Sequence, residues 1–136
     1  MELQVGVKIL LKNRDNKYLV LFRSMKNRPI PHREYWDMPG GRIKVGSDLI
    51  DNLKREVKEE TRLEIISEPR LITAQDIIKE NKHVVRLTYT GFGDGEVKLS
   101  EEPSEYRWLS LEELLKLEPI DSYFKKILIE FYKKLE

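Results

Sequence analysis

The sequence predicts an α/β protein, an α/β/α sandwich built on a mixed β-sheet. Three observations lead there. Segments with the period-two alternation of strands are interspersed with three segments of helical periodicity. Short turns join some strands and helices separate others, so the sheet must mix antiparallel and parallel pairing. The chain has 136 residues, 40 % of them hydrophobic, which suits one domain over 1–136 with helices covering both sheet faces.

The elements follow in order. Leu3, Val5, Val7, Ile9 and Leu11 alternate with Gln4, Gly6, Lys8 and Leu10, so the first segment reads as a half-buried strand. Asn13 to Lys17 is a turn cluster, and Tyr18 to Arg23 completes a β-hairpin. Ser24 to Asp37 is polar, contains Pro29 and Pro31, and reads as a loop running into Pro39-Gly40-Gly41. A helix is predicted from Ser47, a natural N-cap, to Thr61, with Asp48 at the positive end of its dipole. Leu63 to Ile66, Arg70 to Ala74 and His83 to Phe92 read as strands, and Gly91 to Gly95 as a turn. Tyr106 to Leu109 is a short strand. Ser110 and Glu113 have the spacing of a capping box that opens a helix through Leu117. Tyr123, Phe124, Ile127, Leu128, Phe131, Tyr132 and Leu135 recur at helical spacing, which predicts a final amphipathic helix packed on the core or on a partner.

Composition excludes several functions. There are 25 Lys+Arg against 24 Asp+Glu, a net charge of +1 with 36 % of residues charged. Ample apolar content argues against disorder. The absence of a basic excess argues against a stable nucleic-acid partner. No cysteine is present, which removes disulfides, thiol nucleophiles and cysteine-bound metals. The histidines, His32 and His83, are far apart in sequence, which disfavours a histidine zinc site. No apolar run of about 20 residues is available to span a membrane. The N-terminus lacks the basic and apolar regions of a signal peptide, so the expected location is the cytoplasm. A lone alanine, Ala74, beside many Lys, Glu and Ile gives a composition of thermophilic type.

The chemistry lies in residues 39–63, PGGRIKVGSDLIDNLKREVKEETRL. On a helix with Glu56 at zero, Glu60 falls at about 40° and Glu59 at about 300°, so the three carboxylates share a face. Lys54 and Lys58 fall at about 160° and 200°, on the far side, while Arg55 lies at about 260°. Leu53, Val57 and Ile50 form an apolar stripe beside the acids. Such a cluster is costly unless cations neutralise it. Basic side chains are one source; Mg²⁺ or Mn²⁺, which bridge carboxylates to phosphates, are the other. A solvated acidic face is the plain alternative, and spacing alone does not choose. Gly40-Gly41 at the helix entrance allows backbone groups to approach a ligand closely.

This segment resembles the Nudix box, G-x5-E-x7-R-E-U-x-E-E-x-G-U, where U is a bulky aliphatic residue. Gly41 matches the first glycine, Arg55-Glu56-Val57-Lys58-Glu59-Glu60 matches R-E-U-x-E-E, and Leu63 matches the last position. Ser47 stands where the box has its first glutamate, and Arg62 where it has its second glycine. An arginine in the left-handed conformation of that glycine costs about 1 kcal/mol, unless the helix exits differently. The missing glutamate supports the box arginine in the family or lies near its metals, so Ser47 touches the orientation of Arg55.

The resemblance implies a Nudix fold and a MutT-like, Mg²⁺-dependent phosphoanhydride hydrolase, with Mn²⁺ as a substitute. Its substrate is a nucleoside diphosphate linked to another group. The first choice is a nucleoside or deoxynucleoside triphosphate cleaved to monophosphate and pyrophosphate. Rivals are a nucleotide-sugar or ADP-ribose pyrophosphatase, a non-catalytic nucleotide-binding module and, less in keeping with the charge balance, an RNA-processing enzyme. Carried over, Glu56 and Glu60 are metal ligands, Glu59 a ligand or water-orienting base, the Gly40 carbonyl a further ligand, and Arg55 the support of a glutamate. Glu102, then Glu105, is the candidate for an acid supplied by a later loop. Gly41, Phe22 and Arg23 are candidates for substrate contact, the last two with a structural role as the alternative. Trp36 is expected to pack beneath the glycine loop rather than stack on a base. Lys26, Arg28, His32 and Arg33 could meet phosphates or form a solvated loop. The assembly is expected to be a monomer or homodimer.

Overall fold

β1 (Glu2–Lys12) is the spine of a mixed eight-stranded sheet. In this computed structural model, which describes residues 1–23 and 34–135, β1 runs parallel to β7 (Lys82–Asp94) along its whole length. The half-buried strand expected here is buried on both faces at its end: Ile9, Leu10 and Leu11 are all fully enclosed. β2 (Tyr18–Arg23) meets β1 only at the hairpin, Lys12 opposite Tyr18, and then diverges. β2 pairs instead with β3 (Tyr35–Asp37) and β8 (Glu105–Leu109). The vacated edge of β1 is taken by β4 (Gly40–Arg42), with Lys8 opposite Gly40 and Val7 opposite Gly41. The sheet therefore splits, and the Asp37–Gly40 turn sits in the split.

Helices cover both faces, as expected of an α/β/α sandwich. α1 (Leu49–Thr61) packs Leu53 and Val57 against Val7, Ile9, Leu11, Leu19 and Leu21. On the other face, α2 (Leu111–Leu115) and α3 (Ser122–Leu135) bury Leu111, Leu114, Phe124, Ile127 and Leu128 against Leu10, Tyr18, Val20 and Trp36. The aromatic stripe near the C-terminus thus belongs to the core. α2 opens with the expected capping box, Ser110 Oγ accepting from Glu113 N–H and Glu113 Oε1 from Ser110 N–H.

Several boundaries differ from expectation. Tyr35 to Asp37 is strand, not loop; residues 24–33, with Lys26, Arg28, His32 and Arg33, lie outside the described residues. β6 (Arg70–Lys79) and β7 extend until they meet in a tight hairpin, and β5 (Glu64–Ile65) pairs with the end of β7. The predicted turn over Gly91 to Gly95 is strand as far as Asp94, because its glycines serve packing. A Cβ on Gly93 would stand 2.7 Å from Leu11 Cδ2. The N-cap of α1 is Asp48 rather than Ser47, with Asp48 Oδ1 accepting from Asp51 N–H at 2.8 Å. Gly46, at φ +88, turns the chain so that the next but one residue caps the helix. Arg62 does adopt the left-handed conformation of the glycine it replaces (φ 66, ψ 7), its N–H donating to Lys58 O.

Candidate active site

Two glycines bring the end of α1 against the split sheet. Gly40 has φ +134, and a Cβ there would lie 2.0 Å from the Val7 carbonyl oxygen, so only glycine fits. Its N–H donates to Glu60 Oε1 at 2.9 Å. At Gly41 a Cβ would fall 2.7 Å from Glu56 Oε2: the missing side chain is the space the Glu56 carboxylate occupies. Both carboxylates are mostly buried, with side-chain exposures of 19 % for Glu56 and 13 % for Glu60. Burial pushes the Glu56 carboxyl up; Arg55 pulls it down, Glu60 and Glu59 push it up again, and the net lies above the ordinary glutamate value.

The third glutamate does not join the other two. Glu59 is 56 % exposed, and both of its oxygens accept from Arg55 Nη1 at 3.0 Å. The shared acidic face is thus divided: Arg55, one turn earlier, draws Glu59 outward, while Glu56 and Glu60 turn to the glycines. The same guanidinium donates to Glu56 Oε1 and, at 3.0 Å, to Asn52 Oδ1. Asn52 is fully buried and also bonds Lys44 N–H and the Arg42 carbonyl. It supplies the support for Arg55 that Ser47 cannot. Sequence reading missed Asn52, although its i, i+3 spacing from Arg55 was visible.

Arg23 is not a free substrate contact. Its guanidinium pairs with Glu60 and donates to the Met38 carbonyl at 3.0 Å. Phe22 packs on the Trp36 ring at 4.9 Å, and Arg107 lies 4.6 Å over the other aromatic partner, Trp36. Trp36 is 3 % exposed, so it packs as expected and offers no face to a base. Phe22, partly buried, packs against the core.

Beside the two glutamates opens a cleft of about 380 Å³, lined by Lys8, Arg23, Arg42 and Arg86, by Asp37, Glu60 and Glu102, and by Gly40 and Gly41. Glu102 arrives because Ser100 N–H donates to the Glu60 carbonyl at 3.1 Å, laying this segment over the last turn of α1. Glu105 sits on β8 and pairs with Arg107. Lys8, Asp37 and Arg86 were not singled out by sequence; their strands are far apart in the chain. Lys8 Nζ lies 3.2 Å from Asp37, and Arg86 lies 2.8 Å from Asp121. Burial pushes the Asp37 carboxyl up, but Lys8, Arg86 and Arg23 outweigh it and hold it below the ordinary value.

A family model described as the NUDIX domain matches residues 2–131. The chain belongs to the Nudix family. Among solved structures, it is similar to the MutT protein from Methanosarcina mazei Go1, with 30 % identity and a TM-score of 0.85 over 97 % of this chain and 94 % of that one. Among curated relatives, it is 30 % identical over 92 residues to the asymmetrical bis(5'-nucleosyl)-tetraphosphatase of Rattus norvegicus, covering 61 % of this chain and 60 % of the relative. It is 34 % identical over 71 residues to the Nudix hydrolase YvcI of Bacillus subtilis strain 168, covering 52 % of this chain and 40 % of the relative. The matches thus span about half the length of these curated relatives.

Nudix hydrolases act on nucleoside diphosphate-linked substrates and generally use divalent metal ions. The donors here suit a hard cation: carboxylate oxygens of Glu56 and Glu60, held against glycine backbone. Among the described residues, no three His, Cys, Asp or Glu side chains gather closely enough to hold an ion. The three-glutamate cluster expected from the helix is therefore reduced to two side chains. Mg²⁺ needs no more, because it keeps several waters and takes substrate phosphates in its shell.

Proposed function

We propose that the chain is a Mg²⁺-dependent pyrophosphohydrolase that cleaves a nucleoside or deoxynucleoside triphosphate to the monophosphate and pyrophosphate, with Mn²⁺ able to replace Mg²⁺. One observation carries this reading: the Glu60 carboxylate, bonded to the Gly40 amide, lines a cleft that also holds four cationic side chains, and the Glu56 carboxylate packs on Gly41 in its wall. Phosphoryl transfer asks the protein for positioning and charge neutralisation. Glu56 and Glu60 would hold the metal, with the Gly40 carbonyl as a further ligand. The ion, when bound, lowers the pKa of water and offsets phosphate charge. Arg42, an exposed residue of the cleft, meets the polyphosphate. Gly41 lines the cleft beside Arg42, with the Glu56 carboxylate in the space its side chain would take. Glu102, which lines the cleft, is the first candidate to take the proton from the attacking water; Glu59, held outward by Arg55, is the second. No helix among the described residues is long and apolar enough to cross a membrane. The reading includes a single domain over 1–136, acting in the cytoplasm on small nucleotides as a monomer or homodimer.

The test is a panel of nucleoside triphosphates, nucleotide sugars, ADP-ribose and dinucleoside polyphosphates with Mg²⁺ and Mn²⁺, products separated by chromatography. Pyrophosphate and a nucleoside monophosphate are expected. Sugar phosphate would establish the nucleotide-sugar alternative. Asymmetric cleavage of a dinucleoside tetraphosphate would align the chain with its rat relative. Binding in calorimetry without turnover would make it a nucleotide-binding module.

A further inference from the structure

Met38 lies where no strand ladder reaches, for β3 ends at Asp37 and β4 begins at Gly40. It is fully buried, and a buried peptide group must find partners. Side chains provide them. Met38 N–H donates to Asp37 Oδ1 at 2.8 Å, and the Met38 carbonyl accepts from Arg23 Nη2 at 3.0 Å and Lys8 Nζ at 3.4 Å. Lys8 Nζ also pairs with Asp37 Oδ2, closing a ring around this one residue. The Arg23 guanidinium that grips Met38 also holds Glu60, and Gly40 N–H, two residues on, donates to that same carboxylate. Lys8 and Glu60 thus act on the two ends of a four-residue turn.

A lysine at this place is costly for stability alone. Its side chain is only 12 % exposed and Asp37 only 2 %, and a buried ion pair is commonly no better than apolar packing. We propose that Lys8 is a positioning residue of the active site, holding through Asp37 and the Met38 carbonyl the turn that presents the Gly40 amide to Glu60. The inference rests on the catalytic role given to Glu60 above. Removing the ammonium takes a donor from Met38, strands the Asp37 carboxylate and loosens the turn, while Arg42 and the cleft's other contacts to substrate remain. The loss therefore falls on kcat and not on KM.

The experiment compares Lys8→Met, Lys8→Arg and the double variant Lys8→Met with Asp37→Asn, which removes the charge pair together and leaves no stranded ion. Two quantities are read: steady-state kcat and KM, and hydrogen exchange of the Gly40 amide by NMR in the metal-free protein. Both Met variants are expected to lose about ten-fold in kcat with KM held within about two-fold. Their Gly40 amide should exchange about ten-fold faster, since the turn that presents it to Glu60 is no longer held. Lys8→Arg, which keeps charge and donors, should return both towards wild type. Wild-type Gly40 exchange in a folded Lys8→Met variant overturns the proposal. So does a raised KM at constant kcat, which would make Lys8 a substrate contact. If the wild-type protein hydrolyses no nucleotide, the catalytic reading falls while Gly40 exchange still decides the brace.

Discussion

Replacing Gly41 by alanine should move the Glu56 carboxylate and little else. The new Cβ would stand 2.7 Å from Glu56 Oε2 and 2.8 Å from its Cδ. Restoring ordinary contact, near 3.4 Å, requires the carboxylate to withdraw by about 0.7 Å. Gly41, unlike Gly40, has no positive φ, so the backbone is not strained. The displaced atoms end a flexible side chain, and the melting temperature should change by no more than about 2 °C. Function should not escape, because metal–ligand distances tolerate only about 0.2 Å. A misplacement approaching 1 Å costs about 100-fold in rate, or about 2.7 kcal/mol of barrier. The assay is steady-state turnover with Mg²⁺, alongside Mn²⁺ affinity by calorimetry. Adding Glu56→Asp, one methylene shorter, should recover part of the loss by removing the clash. Wild-type kcat and Mn²⁺ affinity in Gly41→Ala would refute the packing of Glu56 on Gly41 as the basis of the site.

Glu60→Gln and Glu56→Gln should each lower kcat by several orders of magnitude while far-UV circular dichroism stays native; near-wild-type turnover would remove them from the metal site. Arg62→Gly relieves a left-handed arginine and should stabilise by about 1 kcal/mol, a rise of a few degrees in melting temperature. Asn52→Ala breaks the bonds to Lys44, Arg42 and Arg55 and should cost about 1–3 kcal/mol and most of the activity, whereas Ser47→Glu should keep or raise turnover; the reverse ranking would show that Arg55 depends on position 47. The depressed Asp37 carboxyl stabilises the fold above the ordinary carboxylate range, and that stability is lost as pH falls through its lower folded value. Melting curves below pH 4 should therefore be less steep with pH in Asp37→Asn than in the wild type, and parallel curves would contradict the shift.

Much of this protein was legible in its residues. The hairpin, the capping box at Ser110, the amphipathic α3 and the mixed sheet follow from periodicity and turn chemistry, which act over a few neighbours. The errors were local conflicts settled by packing. Gly91 and Gly93 look like turn residues, yet they sit in β7 because Ile9 and Leu11 need the room. Ser47 and Asp48 are both good N-caps, and the turn at Gly46 decides between them. Phe22 and Arg23 adjoin in sequence, but strand alternation sends one against Trp36 at the edge of the core and the other to Glu60.

The sequence by itself placed the candidate site residues: Glu56, Glu59 and Glu60 on one helix face, preceded by Gly40 and Gly41, with Arg55 beside them. Helical pitch and the freedom of glycine are properties of the local chain. Only the tertiary structure decided how those carboxylates are used. Arg55 takes Glu59 away, Arg23 fastens Glu60, and Lys8 and Asp37 close the turn between the strands. These partnerships join β1, β2 and α1 at one point. They depend on where the sheet splits and on the register across it, which are fixed by burial of the whole chain and by no single segment.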